Sequence, residues 1–274
     1  MPSLPTIEND VEKRAKNAPD HGAFDAPAAG EHDPAAIDYC QRLGDDALIL
    51  GQRLSEWCGH APALEVDLSL ANIALDLIGQ GTHFLGLAGD ADRLAFHRDV
   101  LEWKNCLLVE QPNGDFGQTI ARQLLFSTWQ HMLYQRLVNS ADGRIAAIAA
   151  KGVKEVAYHR ELAADWTIRL GDGTEESARR MAEGLDWCWR FIPELFEVDE
   201  VLDDLIGRGI AADPREFEDE YRSAIAAVLA EAKLAAPADQ RPILGGRRGH
   251  HSEHFGHLLA VMQFLPRTYP DATW

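Results

Sequence analysis

The chain reads as an all-α protein, and three observations carry that reading. Apolar residues recur at three- and four-residue spacing in one stretch after another, and no stretch alternates apolar with polar residues as a half-buried strand does. Capping and turn residues stand where the periodic runs begin and end. At 46% hydrophobic, the 274 residues can supply the core of one large domain.

Residues 1–33 are rich in Pro, Ala, Asp and Asn and have no period, so they are expected to form a disordered tail ahead of a single helical domain, 34–274. From Leu43 the positions Ala47, Leu50, Leu54, Trp57 and Cys58 describe a first helix that Gly59 stops. Pro62 suits the first turn of a second, in which Leu64, Leu68, Ala71, Leu75 and Ile78 form one face. After Leu87 the pattern fades into a long connection ending in the turn sequence Gln111-Pro112-Asn113-Gly114. Asp115 then caps a third helix reaching about Asn139, apolar nearly all round and therefore central. A fourth opens at Asp142 and ends at Gly171. Two hairpins joined by one long crossover is the order of ferritin-like four-helix bundles. Additional C-terminal helices follow: one capped by Thr174, one after Asp213-Pro214, and a last one carrying Phe255, Leu258, Leu259 and Met262.

Such bundles often hold two metal ions on inward carboxylates, one Glu from each of two helices and a Glu-x-x-His pair from each of the others. The third helix breaks that pattern. Phe116 to Ala141 contains no Asp or Glu, although 44 of the 274 residues are acidic and about four would fall there by chance. On the second helix Asp76 is followed three positions on by Gly79, with the imidazole only at His83; on the fourth, Glu155 is followed by Tyr158, and His159 is one position late. Too few oxygen ligands remain for two hard cations. Asp45, Asp46, Asp76, Glu155 and His159 are therefore expected to be a degenerate polar cluster that binds no metal, with Arg122 supplying its counter-charge.

His250, His251, Glu253, His254 and His257 have some ligand-like spacings but come from one local segment and lack the His-Glu-x-x-His form. Gly245 and Gly246 beside Arg241, Arg247 and Arg248 suit either a phosphate loop or, better, a solvated turn. There is no P-loop, dinucleotide fingerprint or nucleophile elbow. A net charge of −18 disfavours nucleic acid and anionic membrane as partners. Four scattered cysteines, no membrane-length apolar run and no signal-peptide order predict a soluble cytoplasmic protein.

The strings LGDDALILGQRLSEWCGHAP from Leu43, LANIALDLIGQ from Leu70, NCLLVEQPNGDFGQTIARQ from Asn105 and KEVAYHRELAADW from Lys154 resemble the C subunits of bacterial phenylacetyl-CoA epoxidases. RLGDGTEES from Arg169 and HSEHFGHLLAVMQFL from His251 extend the likeness over nearly everything after the tail. The resemblance implies a ferritin-like structural subunit in aerobic phenylacetate catabolism. It pairs with a homologous catalytic A subunit that holds the di-iron centre and most of the phenylacetyl-CoA; a B subunit and a flavin and iron–sulfur reductase complete this hetero-oligomeric monooxygenase. No cofactor and no catalytic residue is expected in this chain. The resemblance also points to a substrate rim at Glu102, Trp103, Lys104 and Asn105, with Lys104 on a CoA phosphate and Trp103 over an apolar or adenine face. The other reading of that segment is an ordinary connection with Trp103 in the core. A further contact is implied at Asp203, Asp204 and Leu205. The rival function is a self-sufficient dimetal oxygenase or oxidase using Asp46, Asp76, His83, Glu155 and His159 in an irregular site.

Overall fold

The computed structural model describes residues 33–238, 240–270 and 272, so the expected tail lies outside the described residues apart from Asp33. Helices and short 3₁₀ turns make up the regular structure, and among the described residues there is no strand. The first hairpin pairs α1 (Pro34–Ser55) with α2 (Leu64–Ala88). Asp33 caps α1 by accepting the Ala35 amide, and Pro34 fills a first-turn position where no N–H is needed. This start precedes the periodicity at Leu43 because Tyr39 and Cys40 add a buried turn before it.

The crossover is not bare loop. It holds α3 (Ala91–Phe96), a 3₁₀ turn at Val100–Glu102 and α4 (Leu107–Glu110). The second hairpin, α5 (Phe116–Leu137) with α6 (Gly143–Gly171), starts at the expected caps, Asp115 on the Gln118 amide and Asp142 on the Arg144 amide. Every residue of α5 except Phe116, Gln118, Gln135 and Arg136 is buried, since α4, α6 and the later helices pack against it. Next come α7 (Glu175–Trp189), which packs on α5, then α8 (Glu200–Gly207) and α9 (Glu218–Glu231). The expected last helix is two, α10 (Glu253–Met262) and α11 (Phe264–Thr268).

One helical face is turned the other way from what a core would need. Leu64, Leu68 and Leu75 of α2 are 72%, 57% and 66% exposed, while Leu70, Ile73, Leu77, Phe84 and Leu85 face the core. Both stripes have helical period, so periodicity alone does not choose between them. Beside the exposed stripe, Gly79 has open space where a Cβ would stand.

Candidate functional site

The centre of the bundle is polar, but its groups are mostly neutral. Gln80 of α2 donates from Nε2 to Glu155 Oε2 of α6 at 2.9 Å. Its Oε1 accepts from Gln130 Nε2 and from the Tyr134 hydroxyl of α5, both at 3.1 Å. Burial pushes the Tyr134 phenol well above its usual range, which keeps the hydroxyl a donor at neutral pH. Gly152 makes room for the ring, because a Cβ there would come within 2.7 Å of a Tyr134 ring carbon. One turn along, His159 Nε2 and Asp76 Oδ2 stand 3.1 Å apart, while the buried Nδ1 of the same ring has no hydrogen-bond partner.

A dimetal centre does not fit this donor set. The third-helix positions that meet Gln80 are an amide and a phenol, and among the described residues no group of three His, Cys, Asp or Glu side chains converges as metal ligands do.

Arg122 does not meet Asp76 or Glu155. It is fully buried and donates to the Gln111 carbonyl and to Asn113 Oδ1 (2.5 Å), fixing the end of the crossover against α5. Burial pushes its pKa down to about 10, so it still carries its charge at neutral pH. The expectation of a single cluster fails for Asp45 and Asp46 as well, since α1 carries them to a separate site.

That second site clamps α1, the crossover and the C-terminal segment together. Asp46 holds Arg247 by two bonds, at 2.9 and 2.7 Å, and accepts the Cys106 amide at 2.7 Å. Asp45 pairs with Arg98 and accepts the Lys104 amide at 2.9 Å. Glu194 accepts three amides, from Leu107, Gly245 and Gly246, at 2.6–2.8 Å. The glycine loop therefore does cradle an anion, but the anion is this protein's own carboxylate. Gly246 is obligatory because a Cβ would fall 2.3 Å from the Asn105 carbonyl. Glu110 accepts from Asn105 (2.8 Å) and the Ser252 amide (2.6 Å) and pairs with His251 (2.7 Å), which gives that histidine of the segment a structural role. Burial raises the Asp45, Asp46 and Glu194 carboxyls against the pull of Arg98, Arg247 and the amides.

The rim segment divides. Trp103 is wholly buried, with Arg98 stacked 4.1 Å from its ring and Phe255 edge-on at 5.7 Å, so it has no free face for adenine. Asn105 is also buried, whereas Glu102 is exposed and accepts the Asp99 amide. Lys104 is half-buried with its ammonium on Asp38, and burial lowers its pKa. Asp203 and Asp204 are exposed and paired with Arg215 and Arg208, and Leu205 is core.

Sequence reasoning missed Gln80, Tyr134, Arg98, Glu110 and Glu194 as organising residues. Their signal is a polar residue set inside an otherwise apolar run, as Glu110 is within LLVEQP. Among the described residues no helix is long and apolar enough to cross a membrane.

Comparison with known proteins agrees with this architecture. The C subunit of the 1,2-phenylacetyl-CoA epoxidase of Escherichia coli (strain K12) is 48% identical over 242 residues, covering 86% of this chain and 98% of that protein. The family model described as phenylacetic acid catabolic protein matches residues 24–274, which takes in the bundle, the crossover and the clamp alike. The chain belongs to the phenylacetic acid catabolic protein family.

Proposed function

We propose that this chain is the non-catalytic C-type subunit of a cytoplasmic 1,2-phenylacetyl-CoA epoxidase, holding a catalytic homologue in place while that partner carries the di-iron centre and most of the substrate. The observation that carries the non-catalytic part is the bundle centre, where Gln130 and Tyr134 face Gln80 in place of a third-helix carboxylate. The near full-length likeness to the C subunit of an epoxidase supports the assembly. B and reductase subunits belong to the same proposal.

The exposed α2 face is the surface this role would use. Leu64, Leu68 and Leu75 form an apolar stripe on a chain of net charge −18, and burying them against a helix of the catalytic homologue would remove that stripe from water. Of the rim, only Glu102 and Lys104 retain surface from which to reach a bound thioester.

Co-expression with a catalytic homologue, followed by purification and metal counting, tests the reading. A stable complex whose iron is absent from the separated chain is expected. Two tightly bound metals in this chain alone, or oxygen consumption by it with phenylacetyl-CoA, would favour the self-sufficient enzyme. Leu68→Asp should weaken the complex at least tenfold and leave the melting temperature of the free chain unchanged. Lys104→Ala should raise the KM of the complex for phenylacetyl-CoA without altering assembly.

A further inference from the structure

Where the bundle meets the C-terminal helices lies a cavity of about 40 Å³, lined among others by Tyr39 and Arg42 of α1, Trp129 of α5, Glu197 and Leu202. Three of these residues carry a buried polar atom without a hydrogen-bond partner: Tyr39 Oη, Trp129 Nε1 and Glu197 Oε2. Tyr39 and Trp129 are each only 5% exposed, so bulk water does not satisfy them. The Ala212 amide approaches the Tyr39 oxygen as a donor, but outside the geometry of a normal hydrogen bond. A buried polar atom left unpaired is destabilising. Three on one cavity mark a place where polar partners are needed.

The surrounding charges restrict what can bind. Arg42 is held by Asp38 and Asp199, Arg247 by Asp46, the other oxygen of Glu197 by Arg248, and both oxygens of Glu194 by the Leu107, Gly245 and Gly246 amides. With those charges already paired, neither an anion nor a cation finds a free counter-charge. The three orphan atoms ask for something else: Glu197 Oε2 needs a donor, Trp129 Nε1 needs an acceptor, and Tyr39 Oη serves either way. A hydroxyl group meets all three demands. Burial holds the Tyr39 phenol protonated at neutral pH, which preserves its double role. Size sets the remaining limit. A water requires roughly 10–15 Å³ of such volume, so the cavity takes about three or four waters or one short alcohol.

We propose that this cavity is a binding site for a small neutral hydroxyl-bearing ligand, held between the Trp129 indole N–H, the Tyr39 hydroxyl and the Glu197 carboxylate. Apolar neighbours, Leu43, Leu133 and Leu195, receive the carbon end when the ligand is an alcohol. The site is independent of the epoxidase assignment, because it rests only on residues of this chain.

A crystal structure of the full-length chain, before and after soaking in 1-propanol, tests it. Ordered oxygen within hydrogen-bond distance of the three atoms is expected. After the soak, elongated density in place of the water peaks identifies the alcohol site, whereas unchanged separate peaks identify structural water only and overturn the ligand site. A cavity without ordered density, in maps that show buried water elsewhere, overturns it. Tyr39→Phe supplies a second reading in solution. Loss of a hydrogen bond to the ligand should lower the melting temperature by about 2–4 °C in a domain of this size. An unchanged or raised melting temperature means that the hydroxyl had nothing to bind, and overturns the proposal.

Discussion

Two buried polar sites in this protein solve the same desolvation problem in opposite ways. The clamp at Asp45, Asp46, Glu110 and Glu194 keeps full charges inside and surrounds each with guanidinium, imidazole or amide donors. The bundle centre at Gln80, Gln130 and Tyr134 relies on neutral groups, with Glu155 at its edge. Their reach differs too. The clamp joins residues 201 positions apart in Asp46 and Arg247, whereas the amides set the register of three neighbouring helices. Charge is used where distant segments must be tied together, and neutral donors where helices already touch.

The largest effect should come from breaking the clamp on one side. Arg247→Met leaves Asp46 buried with the Cys106 amide as its remaining partner, and losing one member of a buried ion pair costs about 3–5 kcal/mol. Urea unfolding of the two chains measures it. A loss below about 1 kcal/mol would mean that the clamp is more hydrated than its burial indicates, and the contrast with the bundle centre would fall.

Changes at the neutral site should be milder. Gly152→Ala pushes a methyl into the Tyr134 ring, and overpacking of this kind costs about 1–3 kcal/mol. Gln80→Leu leaves the Glu155, Gln130 and Tyr134 groups short of a partner, a cost of about 1–3 kcal/mol. The pair of variants should be non-additive, because Gly152 and Gln80 act through the same tyrosine. Strict additivity in a double-mutant cycle would show that the network is not one unit.

The same contrast explains what is legible in the sequence. The helices, their caps at Asp115, Asp142 and Thr174, and the crossover follow from period and local capping chemistry, which act over a few residues. The lack of a carboxylate on α5 is equally visible, because an inward ligand must be of a given type wherever the helix points. Which acids find which arginines is not. By local chemistry Arg247 suits a phosphate and Arg122 suits Asp76, yet pairing across two hundred residues depends on how the C-terminal segment folds back, and composition says nothing of that. The α2 face is hidden for a related reason: Leu64, Leu68 and Leu75 carry a period, and a period does not say whether the neighbour belongs to the same chain.

The smallest effect separates a surface cap from the buried clamp by the direction of its pH dependence. Asp142 caps α6, and its hydrogen-bonded pairing with Arg144 holds its carboxyl below the usual range in spite of partial burial. A carboxyl lowered in the folded state contributes stability that is complete above its unfolded pKa and disappears as pH falls through the folded value. The clamp acids are raised, so their contribution becomes less favourable as pH climbs from the ordinary carboxylate range through their folded values. Asp142→Ala should therefore cost about 0.5–2 kcal/mol between pH 5 and 8, and the gap to the parent should close as pH falls below about 4. Melting curves of both chains across that range measure it. A gap that stayed constant down to the acid limit would assign the whole effect to helix-capping geometry and none to the charge of Asp142.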